Sequence, residues 1–189
     1  MEKPIPAFYN DCAYTLVSAE EISEMVDRLA DEINATYENS PYPLVMVVIL
    51  KGSMPFATDL MKRLAMPIEL EFMKVSSYGA GTKSSGEIKI SLDLKRDDLQ
   101  NIDLLVVEDI VDSGRTLSRL TQLLKNRNAH SVRTCTLLDK PSRREVDFQP
   151  DFRGTSIPDE FVIGYGLDYN EKYRNLPFVG VLKREIYEK

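Results

Sequence analysis

Continuous apolar runs along the chain predict the strands of a buried sheet. Leu44 to Leu50 is apolar without interruption, and Leu104 to Val107 repeats the pattern over a shorter stretch. Such runs are typical of strands that are covered on both faces, as in a parallel sheet. A third strand of this kind is predicted over Val132 to Leu138.

Apolar positions at three- and four-residue steps predict helices between those strands. Ser18 and Glu21 have the spacing of a capping box, and a helix is expected from about Ala19 to Tyr37. Further helices are expected to end near Leu64 and to run from about Arg115 to Lys125. Strands that alternate with helices predict an α/β fold with a parallel sheet, whose ligand site lies beyond the carboxyl ends of the strands.

Two alternating segments, Ile68 to Tyr78 and Glu87 to Asp93, predict a long hairpin with one exposed face. Its connection, Gly79 to Gly86, has three glycines in eight residues and no apolar anchor, which indicates a mobile lid. Short apolar segments, Phe161 to Gly164 and Phe178 to Leu182, complete the pattern.

Length and charge then narrow the class of protein. At 189 residues and 21.5 kDa the chain is long enough for one domain with a sizeable core. The 24 basic and 30 acidic residues give a net charge of -6. This balance argues against binding nucleic acid or an anionic membrane by bulk charge, so a polyanionic ligand has to be held locally. The sequence predicts no transmembrane or signal segment.

Cysteine and histidine usage narrows the chemistry further. Cys12 and Cys135 have no neighbouring cysteine, which favours free thiols in the reducing cytoplasm. The single histidine, His130, leaves too few ligands for a His/Cys zinc site. No nucleophile motif surrounds it, so we do not expect it to be catalytic.

The candidate chemistry follows the strand Leu104 to Val107. Two adjacent carboxylates, Glu108 and Asp109, come first, then Asp112, and Ser113 to Thr116 opens a helix. Backbone N–H groups at a helix N-terminus, with a glycine and two hydroxyls, suit a phosphate monoester. The acidic pair suits sugar hydroxyls or magnesium. The alternative is an ordinary polar turn in which Asp and Ser cap the helix.

Four segments resemble those of a known enzyme family. Val106 to Thr116 resembles the phosphoribosyl pyrophosphate signature of the type I phosphoribosyltransferases. Leu50 to Gly52, Ser77-Tyr78 and Pro158 to Arg174 resemble the pyrophosphate loop, the lid pair and the purine-binding motif of the hypoxanthine-guanine branch. The match spans roughly Leu44 to Val181.

The resemblance implies an α/β fold with a central, mainly parallel sheet flanked by helices, a flexible lid hairpin and a small hood. Residues 1–189 would form a single phosphoribosyltransferase domain. Within it the core would cover about 44–140 and the lid hairpin about 68–93, while the purine-binding and hood segments would cover about 1–17 and 140–189.

The resemblance also implies a purine salvage reaction. The phosphoribosyl group of phosphoribosyl pyrophosphate would pass to N9 of hypoxanthine or guanine, giving IMP or GMP and pyrophosphate. Asp112 would be the general base at purine N7. Mg²⁺ would assist the departure of pyrophosphate. The family forms homodimers or homotetramers, and the sequence does not choose between them.

Roles carry over to the matching positions of this sequence. The phosphoribosyl group and its 5-phosphate would be held by Glu108, Asp109, Asp112, Ser113, Gly114, Arg115 and Thr116. Pyrophosphate would be bound by Lys51, Gly52 and Arg174, with a non-proline cis peptide before the lysine. The metal would be held by Glu108, Asp109 and Asp168.

The remaining roles concern the base and the lid. The purine would be bound by Lys140, Phe161, Val162 and Asp168, with Lys140 donating to its 6-oxo oxygen and Phe161 stacking on it. Ser77 and Tyr78 would close over the reacting centre and exclude water. Arg143 and Arg144 are expected in a solvated loop or against an oligomer partner.

Other functions share part of this pattern. A regulatory protein that senses phosphoribosyl pyrophosphate and binds nucleic acid would keep the phosphate loop, but it should also carry a basic patch or an added domain. A phosphoribosyltransferase for adenine or a pyrimidine is disfavoured by Lys140 and by the segment Phe161 to Arg174. The preference among hypoxanthine, guanine and xanthine stays open.

Overall fold

The computed structural model describes residues 7–77 and 88–188, so the expected lid tip with Tyr78 lies outside the described residues. The strands are β1 (Cys12–Val17), β2 (Leu44–Ile49), β3 (Ile68–Ser77), β4 (Ile88–Leu92), β5 (Asp103–Val111), β6 (Ser131–Asp139), β7 (Phe152–Ser156), β8 (Val162–Ile163) and β9 (Val179–Leu182). The α-helices are α1 (Ala19–Tyr37), α2 (Met54–Met61), α3 (Arg115–Asn126) and α4 (Arg184–Tyr187).

A six-stranded sheet in the order β4-β3-β2-β5-β6-β7 forms the centre of the structure. Five of its strands, β2, β3, β5, β6 and β7, run parallel to one another, while β4 pairs antiparallel with β3 as the second arm of the hairpin. The predicted α/β fold with a mainly parallel sheet is confirmed. All six residues of β2 are buried, which explains its uninterrupted apolar sequence.

Helices cover both faces of this sheet, and alternate residues of β2 point to the two resulting cores. Met46 and Val48 pack in the cluster that contains α1 and α2. Val45 and Val47 pack in the cluster that contains α3. The first helix begins as predicted, because both hydrogen bonds of the capping box between Ser18 and Glu21 are present. The second helix ends at Met61, three residues earlier than expected.

The strand that carries the acidic pair is longer than its apolar run. We expected it to end at Val107, but β5 continues to Val111, because its partner β6 continues alongside and pairs Glu108 with Thr136 and Val111 with Asp139. The expectation of a loop directly after Val107 was wrong. Glu108 and Asp109 therefore lie on a strand in the sheet, which fixes their backbone more firmly than a loop would.

A second, antiparallel sheet in the order β1-β9-β8 corresponds to the expected hood. Its strands come from the ranges 1–17 and 140–189. However, β7 also lies in the second of these ranges and forms the outer strand of the central sheet, beside β6. Among the described residues, no helix has the length and apolar character that crossing a bilayer requires.

The histidine lies far from the acidic pair along β5. Its Nδ1 is 2.8 Å from Oδ1 of Asp103, the buried first residue of that strand. Burial opposes ionisation of Asp103, but hydrogen bonds from Ser131, Ser40 and His130 outweigh it and lower the pKa of the carboxyl group. Five residues of strand, about 16 Å, separate Asp103 from Glu108. His130 thus stabilises the opposite end of the strand.

Candidate active site

Three distant segments meet at Gly52, in the turn between β2 and α2. A Cβ atom on Gly52 would overlap the carboxylate of Asp109 on β5. A Cβ atom on Gly166, which has φ 101°, would overlap the carbonyl group of Gly52. Only glycine allows backbones to approach so closely. The peptide bond between Leu50 and Lys51 is cis, as the family resemblance implies.

The acidic pair beside this contact is poorly solvated. Burial and repulsion from Asp109 raise the pKa of Glu108 well above its usual range. Burial also raises the pKa of Asp109 to about 6, although the N–H of Ile110 and the charge of Arg174 favour its ionised form. The Oε2 atom of Glu108 is buried and has no hydrogen-bond partner among residues 7–77 and 88–188. The pair therefore has unused capacity to bind a cation or a hydroxyl donor.

The predicted phosphate loop lies directly after this pair. Glu108, Asp112, Ser113, Gly114 and Thr116 line one cavity of about 170 Å³. Gly114 is the N-cap of α3, with φ 79°. Of the capping alternative, the structure shows one long contact, in which Oγ of Ser113 accepts from the N–H of Arg115 over 3.4 Å. The N-terminus of α3, which opens onto this cavity, is suited to an anion.

The residue expected to be the general base is paired with an arginine. Oδ1 of Asp112 lies 2.8 Å from Nε of Arg143, whose guanidinium also reaches Asp159 at 3.3 Å. Arg144 donates to the backbone oxygen of Asp112 over 2.6 Å and pairs with the buried Asp139. The expectation of a solvated loop holds for Arg143, whose side chain is 51% exposed, but not for Arg144, whose side chain is 11% exposed because the loop folds back towards Asp112.

Arg115, the remaining charged residue of the phosphate loop, is also paired. Its guanidinium forms an ion pair with Glu145 in the segment that follows Arg143 and Arg144. Three arginine side chains, those of Arg115, Arg143 and Arg144, therefore connect the phosphate loop to the segment 143–145. These contacts fix the loop from the side that faces β6.

The residues predicted to bind the purine lie next to Arg143. Lys140 is 8% exposed, and its Nζ donates to the backbone oxygen of Glu160 over 2.7 Å. Phe161 is exposed at one edge, 38% in all, and its ring stacks on Tyr187 of α4 at a centroid distance of 4.8 Å. Val162 is buried in β8. The ammonium group of Lys140 and the aromatic ring of Phe161 thus lie close to the phosphate loop.

The predicted pyrophosphate residues form a charged network around Gly52. Oδ1 of Asp168 lies 2.8 Å from Arg174, and Arg174 also donates to the oxygen of Gly166 over 2.8 Å. Lys51 pairs with Glu171, 2.9 Å from Nζ to Oε2. Asp168, Arg174 and Lys51 thus surround the contact between Gly52 and Asp109. Ser77 is the last residue of β3, and its predicted partner Tyr78 is not described.

The fit of the acidic residues to magnesium follows from this geometry. Among residues 7–77 and 88–188, no three Asp, Glu, His or Cys side chains form a cluster that would enclose a metal ion. Magnesium, however, is usually held by one or two carboxylates together with waters and substrate phosphates. The unpartnered oxygen of Glu108 and the raised pKa of Asp109 suit that kind of binding.

Comparison with known proteins decides the family. Residues 15–170 match the phosphoribosyl transferase domain family. The hypoxanthine-guanine phosphoribosyltransferase of Bacillus subtilis is 49% identical over 179 residues, which cover 95% of this chain and 98% of that protein. The chain belongs to the hypoxanthine-guanine phosphoribosyltransferase family.

Two further comparisons describe this family relationship. A crystal structure of a hypoxanthine phosphoribosyltransferase from Staphylococcus aureus superposes with a TM-score of 0.93 at 44% identity, covering 99% of this chain and 100% of that one. The bifunctional protein TilS/HprT of Listeria monocytogenes is 52% identical over 181 residues, but this chain spans only 28% of its length.

Sequence reasoning missed three residues that contact the predicted site residues. Arg143 belongs to a dibasic pair in the sequence, but its contact with Asp112 depends on how the loop folds back. Glu171 and Gly166 lie inside the purine-binding motif, where no role was assigned to them. The positive φ of Gly166 is the kind of backbone requirement that a glycine in a motif signals.

The close approach at Gly52 gives a first prediction for this phosphoribosyltransferase. In Gly52→Ala the added methyl group would overlap the Asp109 carboxylate, so this carboxylate, which the N–H of Ile110 holds, or the turn has to move. We expect the free energy of unfolding to fall by about 1–3 kcal/mol, which calorimetry would register as a lower melting temperature. Gly180→Ala is the control with a milder overlap, because its Cβ would lie 2.8 Å from Sγ of Cys12, whereas the Cβ at Gly52 would lie 1.6 Å from Oδ2 of Asp109. An equal effect of both substitutions would contradict the prediction.

The acidic pair gives a second prediction. Because the folded-state pKa of Glu108 is raised, its contribution to stability is present below its unfolded pKa and is lost as the pH rises through the folded value. Glu108→Gln removes this pH-dependent loss of stability, because the amide does not ionise. Its melting temperature should exceed that of the wild type, and the difference should grow between pH 5 and pH 8. Glu24→Gln, at an exposed position of α1, should show no such trend. A difference that does not change with pH would disprove this account.

Proposed function

We propose that this protein transfers the 5-phosphoribosyl group of phosphoribosyl pyrophosphate to N9 of hypoxanthine or guanine, giving IMP or GMP and pyrophosphate. The observation that carries the proposal is the meeting of three segments at Gly52. There the turn with Lys51 and Gly52, the strand end with Asp109 and the hood segment with Gly166 and Arg174 are in contact. Family membership supports the same reaction.

The 5-phosphate would be bound by the first turn of α3. Ser113, Gly114 and Thr116 line the cavity, and with Arg115 they would offer backbone N–H groups and two hydroxyls to the phosphate, while Gly114 has a left-handed backbone at the start of the helix. Glu108 and Asp109 would accept hydrogen bonds from the ribose 2- and 3-hydroxyls. Their poor solvation in the free protein would be relieved by such donors.

Pyrophosphate would be bound by Lys51, Gly52 and Arg174. The guanidinium of Arg174 can offer parallel N–H donors to phosphate oxygens, and the Gly52 backbone has no side chain to block their approach. We propose Mg²⁺ as the cofactor, held by Glu108, Asp109 and Asp168 together with substrate oxygens and water. When bound, it would neutralise charge that builds up on the leaving pyrophosphate.

The base would be recognised by Lys140, Phe161, Val162 and Asp168. Lys140 is already engaged as a donor to a carbonyl oxygen, and a purine 6-oxo group is a carbonyl acceptor of the same kind. Adenine has an amino group at this position, which is a donor, so the site would disfavour it. Phe161 would stack on the ring.

In the reaction the purine N9 forms a bond to C1 of the ribose while the bond from C1 to the pyrophosphate oxygen breaks. Pyrophosphate leaves with that electron pair. The proton on purine N7 passes to the carboxylate of Asp112. The ion pair with Arg143 orients this carboxylate beside the phosphate loop. Ser77 and Tyr78 would close over the centre and exclude water.

We further propose that the protein acts in the cytoplasm as a homodimer or homotetramer, as one domain over residues 1–189 with its lid at about 68–93. Both cysteines, Cys12 and Cys135, are free thiols, which suits a reducing compartment. The partners would be phosphoribosyl pyrophosphate and the 6-oxopurine base, rather than nucleic acid or a membrane.

Direct assay tests the proposed reaction. The purified protein is incubated with phosphoribosyl pyrophosphate, Mg²⁺ and one base at a time, and nucleotide formation is followed by absorbance. We expect product with hypoxanthine or guanine and none with adenine. Replacing Mg²⁺ by a chelator should abolish activity, because the acidic pair alone would repel the pyrophosphate. Absence of product with both 6-oxopurines would refute the proposal.

The assigned base gives a further prediction. Asp112→Asn keeps the size of the side chain but cannot take a proton at neutral pH, so turnover should fall by about 10²–10⁴-fold. Binding of IMP or GMP, measured by calorimetry, should change much less. Asp27→Asn, an exposed position on α1 that pairs with Arg63, is the control. Turnover of Asp112→Asn at the wild-type rate would remove Asp112 from this role.

A further inference from the structure

One carboxylate joins the two cations that are assigned to pyrophosphate. Oε2 of Glu171 lies 2.9 Å from Nζ of Lys51 and 3.3 Å from NH2 of Arg174. Lys51 and Glu171 are 120 residues apart in the sequence, so the fold produces their contact. In the ligand-free protein a single anionic oxygen therefore occupies the position between the two cations.

The backbone of the hood loop directs Glu171 to this position. Its N–H donates to Oδ2 of Asp168 over 2.8 Å, and the loop closes through a bridge between Tyr169 and Lys172. Asn170 and Glu171 have φ of 54° and 64°, a left-handed conformation that is uncommon for a glutamate. Asp168 thus holds the turn in the shape that returns the Glu171 side chain towards Lys51.

The Glu171 side chain is held in a way that permits exchange. It is 66% exposed and its partner Lys51 is 51% exposed, and exposed ion pairs of this kind are individually weak. Beside it lies a cavity of about 500 Å³, which is lined by Phe8, Asp11 and the segment from Glu171 to Asn175. The side chain can therefore turn away from the cations without displacing any part of the core.

We propose that Glu171 is an internal competitor of pyrophosphate: its carboxylate pairs with Lys51 and Arg174 when the site is empty and is displaced when pyrophosphate binds. This inference rests on the proposed function and adds a role for a residue that touches both pyrophosphate cations. Carboxylate and phosphate oxygens accept from the same donors, and an anion left beside pyrophosphate would repel it.

Competition of this kind has a kinetic consequence. As pyrophosphate departs, Glu171 replaces it at Lys51 and Arg174, so Lys51 regains a partner, while Arg174 also keeps its ion pair with Asp168. The cost of removing the product is lowered, and product release controls the turnover of many transferases with closing lids. Glu171 thus lowers the affinity for pyrophosphate and raises the rate of its release.

Binding of magnesium pyrophosphate to the full chain tests the proposal. Isothermal calorimetry would compare the wild type with Glu171→Gln and Glu171→Ala, and stopped-flow measurements would give the rate of pyrophosphate release. We expect both variants to bind pyrophosphate about three- to thirtyfold more tightly, because each exposed ion pair that is removed is worth up to about fivefold. Release should slow in proportion, and the gain should shrink in high salt.

Glu32→Gln is the matched control. It removes one negative charge and one exposed ion pair, with Arg28 on α1 at 2.7 Å, and it should leave pyrophosphate binding unchanged. Melting curves would confirm that all variants are folded.

The outcomes separate this inference from the proposed function. Weaker or unchanged binding by both Glu171 variants, with an active wild type, would overturn the competitor role and leave the reaction intact. Tighter binding by Glu171→Gln alone would also overturn it, because the new amide would then be the cause. A wild-type chain that neither binds pyrophosphate nor forms nucleotide would refute the proposed function itself.

Discussion

The close approach of the Gly52 backbone to the Asp109 carboxylate is the constraint on which the geometry of the site depends. It brings the turn after β2 against the end of β5, two neighbouring strands whose parallel register is set by their apolar runs. Gly166 then packs on the other side of the turn, so the hood is fixed relative to the sheet through the same point. A side chain on either glycine would overlap its neighbour. The relative position of the three segments therefore depends on two glycine backbones and on the Asp109 side chain that lies against one of them.

The same contact explains why an acidic protein suits a highly charged substrate. Placing Glu108 and Asp109 on a strand against a glycine backbone removes water from their carboxyl groups and raises the pKa of both. The free protein carries this as an unfavourable contribution to its stability, because an unpartnered acceptor is buried. Hydroxyl donors or a divalent cation would relieve it. The net charge of -6 therefore does not indicate which ions the site attracts, because that depends on the local arrangement of its charged groups.

The sequence predicted those features that depend on local periodicity or on a contiguous motif. Buried runs located β2 and β6, and a capping box located the start of α1. Two strands were missed for physical reasons: β1 is largely exposed, and β7 is short and contains a glycine, so neither has a periodic apolar signal. The end of β5 was misplaced because charged residues at 108 and 109 suggest a loop, whereas pairing with β6 sets the length of the strand. Contacts such as that between Arg143 and Asp112 depend on the path of a loop, which no local pattern encodes.

Outside the acidic pair, the charged groups of the site satisfy one another. Asp112 pairs with Arg143, Arg115 with Glu145, and Asp168 with Arg174. Each of these pairs is partly exposed, so each contributes little to stability and is easily exchanged for a ligand of the same charge. A site built in this way keeps its geometry when empty, because every long side chain already has a partner that orients it. Binding of the proposed substrates would then replace internal ion pairs by contacts with the substrate, and release would restore them. The acidic pair is the exception, since no internal cation neutralises it fully, and it is therefore the part of the site where a bound cation would change the electrostatics most.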